Sequence, residues 1–582
     1  MKWGTPRATN HRSVRSTASG REVVATRAVF LPNRRDGGIG SALVSARRRS
    51  WWGWGWEDEA LPDDQVAALA GAASKRAGVE ITPLRAPDPN DLGLRAPRVE
   101  PPGSLVHLCS TTTRDRAAHS LGKAYRDVVR ALRGEIANPP DVVAYPEHES
   151  DVVALLDWCA TAGLAAIPYG GGSSVVGGVE PDVGDDYRGV LSIDLTKLDR
   201  VLEIDPVSRA ARIQAGVLGP HLEDQLRPHG YTLRHFPQSF EFSSLGGWLA
   251  TRSGGHYASV YTHIDDFVES LRVVTPAGTL ESRRLPGSGA GPSPDRLFLG
   301  SEGSLGIITE AWMRLQDRPV FRASAGVRFD DFFAAAGAVR ALSQSALFPT
   351  NCRLLDAGEA RGAGVDDGSS LLVLGFESAD HPVKAWMDRA VELVQDHGGM
   401  LPDGVRYSGP DDAARAANEE GAVGAWRSSF MRAAYGRDAM ARVAGIADTF
   451  ETACTWDAFE GLHSHVVEEV LRAVTDVCGG GRVSCRFTHV YPDGPAPYFT
   501  VSAQGRPGVE LEMWDAIKAA ASEAVVRHGG TITHHHAVGR DHMPWYTRQR
   551  PELFGAALAA AKSSLDPAGV MNPGVIVPNP RT

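Results

Sequence analysis

Apolar positions along the chain follow two different spacings, and their alternation predicts an α/β organisation from about residue 139 onward. Residues 141–146 form a short apolar run that is typical of a strand. Ser150 then offers an N-cap, and apolar side chains recur at helical spacing at Val152, Val153, Leu155, Leu156 and Cys159. Gly163 ends this helix, and residues 165–168 predict a second strand that runs into a glycine turn. Strand, helix, strand and glycine turn together form an α/β unit.

The same alternation predicts further elements towards the C-terminus. Strands are expected at 189–194, 201–205, 209–215 and 267–275. Helices are expected at 219–229, 330–344, 382–397, 411–418 and 463–477. Beyond about Pro319 strands and helices alternate again, which indicates a second α/β or α+β region.

Composition limits what the chain can be. At 582 residues it exceeds the size at which one hydrophobic core stops growing, so two or more domains are expected. A net charge of -10 and a pI near 6.0 argue against nucleic acid as a partner. No apolar run approaches the ~18 residues that a membrane span needs. The six cysteines include no CxxC pair, which argues against a disulfide framework and a cysteine zinc site and favours a cytoplasmic location.

The first fifty residues differ from the rest because they are rich in Arg, Ser and Ala and hold only two acids, Glu22 and Asp36. This composition predicts a basic, disordered tail, although organelle transit peptides share it and a start codon placed too far upstream would also produce it. Four tryptophans follow, and they suit either an interfacial aromatic patch or core packing: Trp51, Trp52, Trp54 and Trp56.

Four segments rich in glycine and serine each follow a predicted strand. The first consists of Pro168, Tyr169, Gly170, Gly171, Gly172, Ser173 and Ser174, and the second of Gln238, Ser239, Phe240, Glu241, Phe242, Ser243 and Ser244. The third consists of Thr251, Arg252, Ser253 and Gly254, and the fourth of Glu302, Gly303, Ser304, Leu305, Gly306, Ile307 and Ile308. Consecutive glycines let backbone N–H groups approach a pyrophosphate. The spacing is not the GxGxxG fingerprint, so a Rossmann nicotinamide site is not expected.

In this order, the four segments resemble the FAD-binding domain of the vanillyl-alcohol oxidase / p-cresol methylhydroxylase family. The resemblance implies an α+β protein with a two-subdomain FAD-binding fold and an α/β cap domain for the substrate. It also implies FAD as cofactor, held by these segments. Some relatives tether FAD through a His or Cys in the first segment, and this chain has neither there, so non-covalent binding is expected.

The resemblance also divides the chain. We expect the tail at 1–50, a helical connector region at 51–138, the FAD-binding domain at 139–318 and the cap domain at 319–528. A C-terminal segment at 529–582 is expected to return to the FAD-binding domain.

Five segments are similar to the alkylglycerone-phosphate synthase family within that group: WWGWGWED from Trp51, SSLGGWLATR from Ser243, FETACTWD from Phe450, residues 488–498 and GGTITHHHAVG from Gly529. This similarity implies a transferase that exchanges the acyl chain of acyl-dihydroxyacetone phosphate for a fatty alcohol through a flavin N5 adduct, in ether-lipid synthesis. The alternative is a FAD-linked oxidase or dehydrogenase of a 2-hydroxy acid or alcohol, because the GSEGSLG segment is shared with such enzymes. A third hypothesis is a flavin-binding protein without activity. A homodimer is implied by the family, and peripheral membrane contact is left open.

Two arginines and a tyrosine are candidate site residues. Arg437 matches the family's substrate-phosphate position, where a planar guanidinium suits the anion; an ion pair with Asp438 is the alternative. Tyr498 matches the family's catalytic tyrosine, and its alternative is a half-buried strand residue. A phenol has a pKa of ~10 and needs a neighbouring cation to act as a base, for which Arg353 or the histidines are candidates. Arg353 also matches a family active-site residue, with a salt bridge to Asp356 as its alternative.

Histidines complete the predicted catalytic set. His235 matches a family active-site histidine, although Gln238 replaces the family's aspartate nearby. His534, His535 and His536 follow the strand-like residues 531–533, and in an extended chain His535 would point away from its two neighbours. A metal site is the alternative, but two histidines alone rarely close one, so no metal is expected. Ala537 stands where the family has glycine.

Overall fold

A computed structural model of the chain describes residues 29–30, 47–255, 263–410 and 433–578. The predicted helix at 411–418 lies outside the described residues. None of the helices that the structure describes combines the length and the apolar character needed to cross a membrane.

Two sheets build the first half of the described chain. A four-stranded sheet has the order Cys109–Ser110, Val142–Ala144, Gly189–Asp194 and Leu164–Tyr169, and its last three strands run parallel. A six-stranded antiparallel sheet has the order Val29–Phe30, Val201–Asp205, Ala210–Gln214, Ile307–Arg314, Val268–Thr275 and Gly278–Glu281. Val29–Phe30, from the segment expected to be a tail, therefore forms an edge strand.

The helix between the first two parallel strands shows how local sequence sets this layout. It spans Glu149–Ala162 and buries Val152, Leu155, Leu156 and Cys159, the face predicted from spacing. His148, and not Ser150, is the N-cap, and the Asp151 carboxylate accepts a hydrogen bond from the His148 N–H at 2.9 Å. Gly163 has a φ of 68° and ends the helix with a left-handed cap.

The second half contains a seven-stranded antiparallel sheet. Its order is Val405–Ser408, Phe321–Phe329, Ser370–Ser378, Asn351–Leu355, Gly481–Val490, Pro495–Gln504 and Gly445–Glu451. The longer helices that cover this sheet are Phe332–Gln344, Lys384–Gln395, Trp456–Cys478 and Glu510–Arg527. The first three overlap the helices predicted at 330–344, 382–397 and 463–477. Helix Trp456–Cys478 begins seven residues earlier than predicted.

The remaining α-helices of the described residues are shorter or lie near the ends of the chain. They are Asp63–Ala77, Thr113–Ala118, Tyr125–Leu132, Gly219–Leu226, Leu245–Thr251, Asp295–Phe298, Ala357–Ala360, Met543–Gln549 and Glu552–Leu565. A small antiparallel pair joins Tyr231–Thr232 to Gln316–Asp317.

Separate hydrophobic cores lie under the two halves, and both the C-terminal segment and the connector region contribute to them. Val538 and Val575 from the C-terminal segment pack in the core of the six-stranded sheet. Tyr125 and Val128 from the connector region pack in a core with helix Glu510–Arg527. The tryptophans turn inward: Trp51 is buried, and Trp54 and Trp56 contact the ring of Phe242 edge-on at 5.5 and 5.4 Å. Trp51 therefore belongs to the core, and Trp54 and Trp56 are half-buried against Phe242.

Candidate active site

A cavity of about 580 Å³ lies between the two halves of the protein, and all four glycine- and serine-rich segments contribute to its wall. Its other wall comes from the seven-stranded sheet through Tyr498, from the C-terminal segment through His535 and His536, and from Arg437, which lies in the helical stretch before strand Gly445–Glu451. The structure therefore brings together predicted residues that are more than 300 positions apart in the sequence. We call this space the central cavity.

The first two segments are packed so closely that only glycine fits. A Cβ on Gly171 would lie 1.7 Å from the carbonyl oxygen of Phe242, and one on Gly170 would lie 2.1 Å from the Ser244 hydroxyl oxygen. Gly172 adopts a φ of 66°, which favours glycine. The run of glycines thus sets the shape of this wall, and it leaves backbone amide groups where a pyrophosphate could accept hydrogen bonds. This arrangement fits FAD.

Most of the predicted cofactor-binding residues line the central cavity. They are Pro168, Tyr169, Gly170, Gly171, Gly172, Ser173, Ser174, Gln238, Ser239, Ser243, Ser244, Thr251, Ser253, Gly254, Glu302, Gly303, Gly306, Ile307 and Ile308.

Six predicted cofactor-binding residues lie outside the lining. Phe242, Ser304 and Leu305 are buried in the protein, Phe240 stacks on Trp248, and Arg252 forms an ion pair with Asp265 at 2.8 Å. Glu241 completes the group, and burial raises the pKa of its carboxyl. These six residues therefore belong to the cofactor-binding segments without lining the central cavity.

Glu302 fastens the fourth segment to the C-terminal chain. Its two carboxylate oxygens accept hydrogen bonds from the N–H groups of Val538 and Gly539, both at 2.8 Å. Burial raises the pKa of Glu302 to about 7. The residue has a φ of 51°, a strained conformation for a non-glycine residue. Glu302 is therefore a structural contact as well as part of the cavity wall.

The histidine triplet does not continue a strand, and the expectation that His535 points away from its neighbours is wrong. Residues 531–536 contain no strand, and the chain turns around one buried carboxylate. Glu451 accepts hydrogen bonds from the N–H groups of His534, His535 and His536 at 2.7, 3.1 and 3.0 Å and from the Thr533 hydroxyl at 2.6 Å. Four donors on one carboxylate hold the turn, and the ring centres of successive histidines lie 5.3 and 4.8 Å apart.

Burial and neighbouring charges set the protonation of this turn. Burial raises the pKa of the Glu451 carboxyl. The nearby histidine rings and the Thr533 hydroxyl lower it by more, so the net pKa lies below the usual glutamate value and the carboxyl stays ionised. Burial lowers the pKa of His535 to about 3 and that of His536 to about 4, and it lowers the pKa of His534 well below its usual value. All three imidazoles are therefore neutral near pH 7. Ala537, which replaces the family's glycine, accepts a φ of 75° to complete the turn.

Tyr498 lies on strand Pro495–Gln504 with its ring 5.9 Å from that of His535 and nearly parallel to it. Its hydroxyl donates a hydrogen bond to the Thr449 hydroxyl at 2.9 Å. The cation beside it is Arg486, whose guanidinium lies 4.0 Å from the ring centre, whereas the sequence suggested Arg353 or the histidines. Burial outweighs this cation and raises the pKa of Tyr498. The side chain is a phenol, and not a pre-activated base.

Arg437 faces the central cavity and also has a partner. Its Nη2 lies 3.0 Å from a carboxylate oxygen of Asp438, whose other oxygen accepts the Trp54 N–H. The ion pair that was the plain alternative therefore coexists with a position on the cavity wall. Met440 and Trp54 also line the cavity and make part of its wall apolar.

Arg353 and His235 lie behind the cavity and not on its surface. Arg353 is buried within strand Asn351–Leu355, and burial lowers the pKa of its guanidinium. Asp356, its expected partner, instead caps a helix by accepting the Glu359 N–H at 2.8 Å. His235 is buried with its ring 5.2 Å from Trp248, and burial lowers its pKa to about 3. Gln238, three residues further on, does line the cavity.

Sequence reasoning missed several polar residues around the triplet. Arg486 pairs across two strands with Tyr498, and Glu451 follows the phenylalanine of the FET motif. Around His534, the Tyr491 hydroxyl lies 2.6 Å and His263 Nε2 3.2 Å from its Nε2 atom. Ligand atoms of His489, His534 and His535 also lie within 4.8 Å of one another, so a third histidine joins the grouping considered for a metal. The FET glutamate and the strand pairing of Arg486 were the signals that could have been followed.

Comparison with known proteins agrees with this geometry. Residues 140–282 match the family described as FAD binding domain, and residues 318–576 match FAD linked oxidases, C-terminal domain. Alkyldihydroxyacetonephosphate synthase of Dictyostelium discoideum is 31% identical over 80% of this chain and 77% of that protein. The chain belongs to the alkyldihydroxyacetonephosphate synthase family. It is an FAD-dependent enzyme.

Two solved structures support the fold of this family member. An alkyldihydroxyacetonephosphate synthase structure superposes with a TM-score of 0.74 at 25% identity, covering 90% of this chain and 98% of the other. p-Cresol methylhydroxylase superposes with a TM-score of 0.64 at 15% identity, covering 82% and 95%. The predicted α+β fold of the p-cresol methylhydroxylase type and the predicted cofactor, FAD, are both confirmed.

Proposed function

We propose that this enzyme exchanges the acyl chain of acyl-dihydroxyacetone phosphate for a long-chain alcohol, without net oxidation. One observation carries the proposal: FAD-binding segments, an arginine beside an apolar wall and neutral histidines beside a phenol all meet in the central cavity. An anchored phosphate, an alkyl chain and a proton-transfer group are what the exchange requires in one place.

Arg437 is proposed to bind the substrate phosphate. Its guanidinium is a forked donor that matches phosphate oxygens, and it lies next to the apolar side chains of Met440 and Trp54. A phosphate there would place the hydrocarbon chain against those side chains. Asp438 keeps the guanidinium in position through the contact at 3.0 Å.

Proton transfer is proposed to begin at His535. A hydrogen α to the ketone has to leave, and a neutral imidazole has a lone pair ready to accept it. Tyr498 stays protonated because burial raises its pKa, so it acts as a hydrogen-bond donor beside His535 rather than as the first base. Glu451 orients the imidazole through the backbone of the turn.

The four glycine- and serine-rich segments would hold FAD, which would supply covalent chemistry at the substrate carbon. The chain's own contribution is to bind the phosphate, to exclude water and to move the proton. Non-covalent binding of FAD remains a prediction, which release of yellow flavin from denatured protein would support.

The direct assay supplies acyl-dihydroxyacetone phosphate and an isotope-labelled long-chain alcohol. We expect label in the phosphate-containing product and one fatty acid released per alcohol incorporated. The second candidate, a FAD-linked oxidase or dehydrogenase, is favoured by the match of residues 318–576 to FAD linked oxidases. It predicts no incorporation and, with candidate 2-hydroxy acids, stoichiometric 2-oxo acid.

A further inference from the structure

A line of ring nitrogens leads from the central cavity towards the protein surface. His535, which lines the cavity, has its Nδ1 3.0 Å from the Nδ1 of His534. The Nε2 of His534 in turn lies 3.2 Å from the Nε2 of His263. The Tyr491 hydroxyl lies 2.6 Å from the same His534 nitrogen, and both His263 and Tyr491 are partly exposed. His534 therefore contacts both neighbouring histidines, His535 through Nδ1 and His263 through Nε2.

A backbone carbonyl fixes the direction of the line. The Nδ1 of His263 lies 3.0 Å from the Arg252 carbonyl oxygen, which can only accept a hydrogen bond. A neutral His263 therefore carries its hydrogen on Nδ1 and presents a lone pair at Nε2. That lone pair can accept a proton from His534 Nε2, and His534 Nδ1 can then accept one from His535 Nδ1.

The surroundings of His534 and His535 favour the neutral form of each ring, so a ring that receives a proton soon passes it on. Burial lowers the pKa of both His534 and His535, so a positive charge on either is short-lived. Glu451 lies 3.5 Å from the Nδ1 of His535, so its carboxylate stabilises the imidazolium that forms briefly during proton transfer. His489, whose Nε2 donates to the Gly255 carbonyl oxygen at 2.9 Å, packs its ring 5.0 Å from His534 and adds no ionised group.

We propose that His535, His534 and His263, with Tyr491 as a side branch, form a proton relay between the central cavity and solvent. The inference rests on the proposed function, which needs an α-hydrogen to leave and later a proton to return. A proton taken from the substrate carbon arrives at His535 Nε2, and the Nδ1 proton of His535 moves to His534 Nδ1. The Nε2 proton of His534 then moves to His263 Nε2, which releases its excess proton to water. Both inner rings are neutral again, and the return step reverses this order.

The relay is tested by removing its outer end in the FAD-loaded enzyme. His263→Ala is expected to slow exchange by about tenfold or more, because proton transfer by a positioned group contributes ~10² or more. Free imidazole in the buffer is expected to restore most of the rate, since it can occupy the vacated space and take the proton. His263→Asn keeps a hydrogen-bond donor for Arg252 but cannot carry a proton, so it is expected to be equally slow and much less responsive to imidazole.

A matched control is His465→Ala, on the exposed face of helix Trp456–Cys478, which should change neither the rate nor its response to imidazole. FAD content and thermal unfolding separate a relay defect from misfolding. The relay is contradicted if His263→Ala and His263→Asn retain the wild-type rate, or if both are slow, contain FAD and ignore imidazole.

The wild-type enzyme separates failure of the relay from failure of the proposed function. A wild type that incorporates no labelled alcohol but reduces its flavin with a 2-hydroxy acid contradicts the exchange. The rescue measurement is then made on that reduction, because the substrate hydroxyl proton also has to leave. Imidazole rescue of His263→Ala in either reaction supports the relay, and its absence in the active reaction overturns it.

Discussion

Replacing Glu451 with glutamine tests how the histidine turn is held. Glutamine keeps one oxygen in place of Oε1, which accepts from His535, His536 and Thr533, but it puts an amide group at Oε2, 2.7 Å from the His534 N–H. The new side-chain amide N–H then faces the His534 N–H, so two donors meet without an acceptor. The three hydrogen bonds to the other oxygen become weaker because that oxygen no longer carries a charge. A buried donor left without an acceptor costs about 1–3 kcal/mol, and each charge-assisted bond loses about 1 kcal/mol. We expect the free energy of unfolding to fall by about 4–6 kcal/mol, from one unpaired donor and three weakened hydrogen bonds.

The substitution should also slow catalysis. A displacement of about 1 Å in a catalytic group can cost ~10²-fold in rate, and the turn carries all three rings. We expect kcat to fall by about that factor, while FAD remains bound because Glu451 does not line the central cavity. The folded-state pKa of Glu451 is depressed, so its stabilising contribution is present above the ordinary glutamate pKa and is lost as pH falls below it. The variant should lack this acid-range loss.

Thermal unfolding from pH 3 to 8, flavin content and steady-state exchange rates measure these effects. The matched control is Glu523→Gln, a partly exposed carboxylate paired with Arg548, which should leave the unfolding temperature close to that of the wild type because surface ion pairs contribute little. If Glu451→Gln unfolds at the wild-type temperature and retains the wild-type kcat, the carboxylate does not organise the turn and the reasoning is refuted.

Four further predictions concern separate parts of the site. Arg437→Ala should raise the KM for the phosphorylated substrate by about 10- to 100-fold, since a charge-assisted contact is worth ~1.5–3 kcal/mol, and an unchanged KM argues against phosphate binding there. Tyr498→Phe should retain FAD in absorbance spectra and lose most of the exchange rate; near-normal turnover removes the hydroxyl from the mechanism. Gly171→Ala should yield protein without FAD, because a Cβ would lie 1.7 Å from a backbone carbonyl oxygen, whereas Gly461→Ala, with open space around it, should bind FAD normally. Glu302 has a pKa raised to about 7, so the folded state keeps its proton longer and stability should decline by about 3 kcal/mol between pH 4.5 and 7; Glu302→Gln should flatten that decline in pH-dependent unfolding, and an unchanged slope would contradict the assignment.

The sequence revealed the parts of the site that depend on local chain geometry. The run from Gly170 to Gly172 could be recognised because close approach to Phe242 and a positive φ leave glycine as the residue that fits. The helix Glu149–Ala162 could be predicted because its buried face repeats at helical spacing. Both follow from neighbours along the chain, which a sequence displays directly.

Other parts depended on contacts that local pattern does not show. Thr531, Ile532 and Thr533 suit a strand, but a carboxylate about eighty positions earlier in the chain bends them into a turn. Likewise, Arg353 and Arg486 lie on neighbouring strands, and only the register that pairs Arg486 with Tyr498 decides which guanidinium covers the phenol. Phe242 and Leu305 belong to the cofactor-binding segments yet are buried in the protein, because each segment turns some of its residues to the cavity and others to the core.

The central claim is an exchange of chains without net redox change, and anaerobic turnover in one cuvette tests it most directly. The enzyme is mixed with acyl-dihydroxyacetone phosphate and labelled long-chain alcohol while the flavin absorbance is recorded and product is sampled. We predict labelled phosphate-containing product over many turnovers, one fatty acid released for each, and oxidised flavin at the end. Permanent bleaching of the flavin after a single turnover, with an oxidised substrate and no label in the product, would contradict the account.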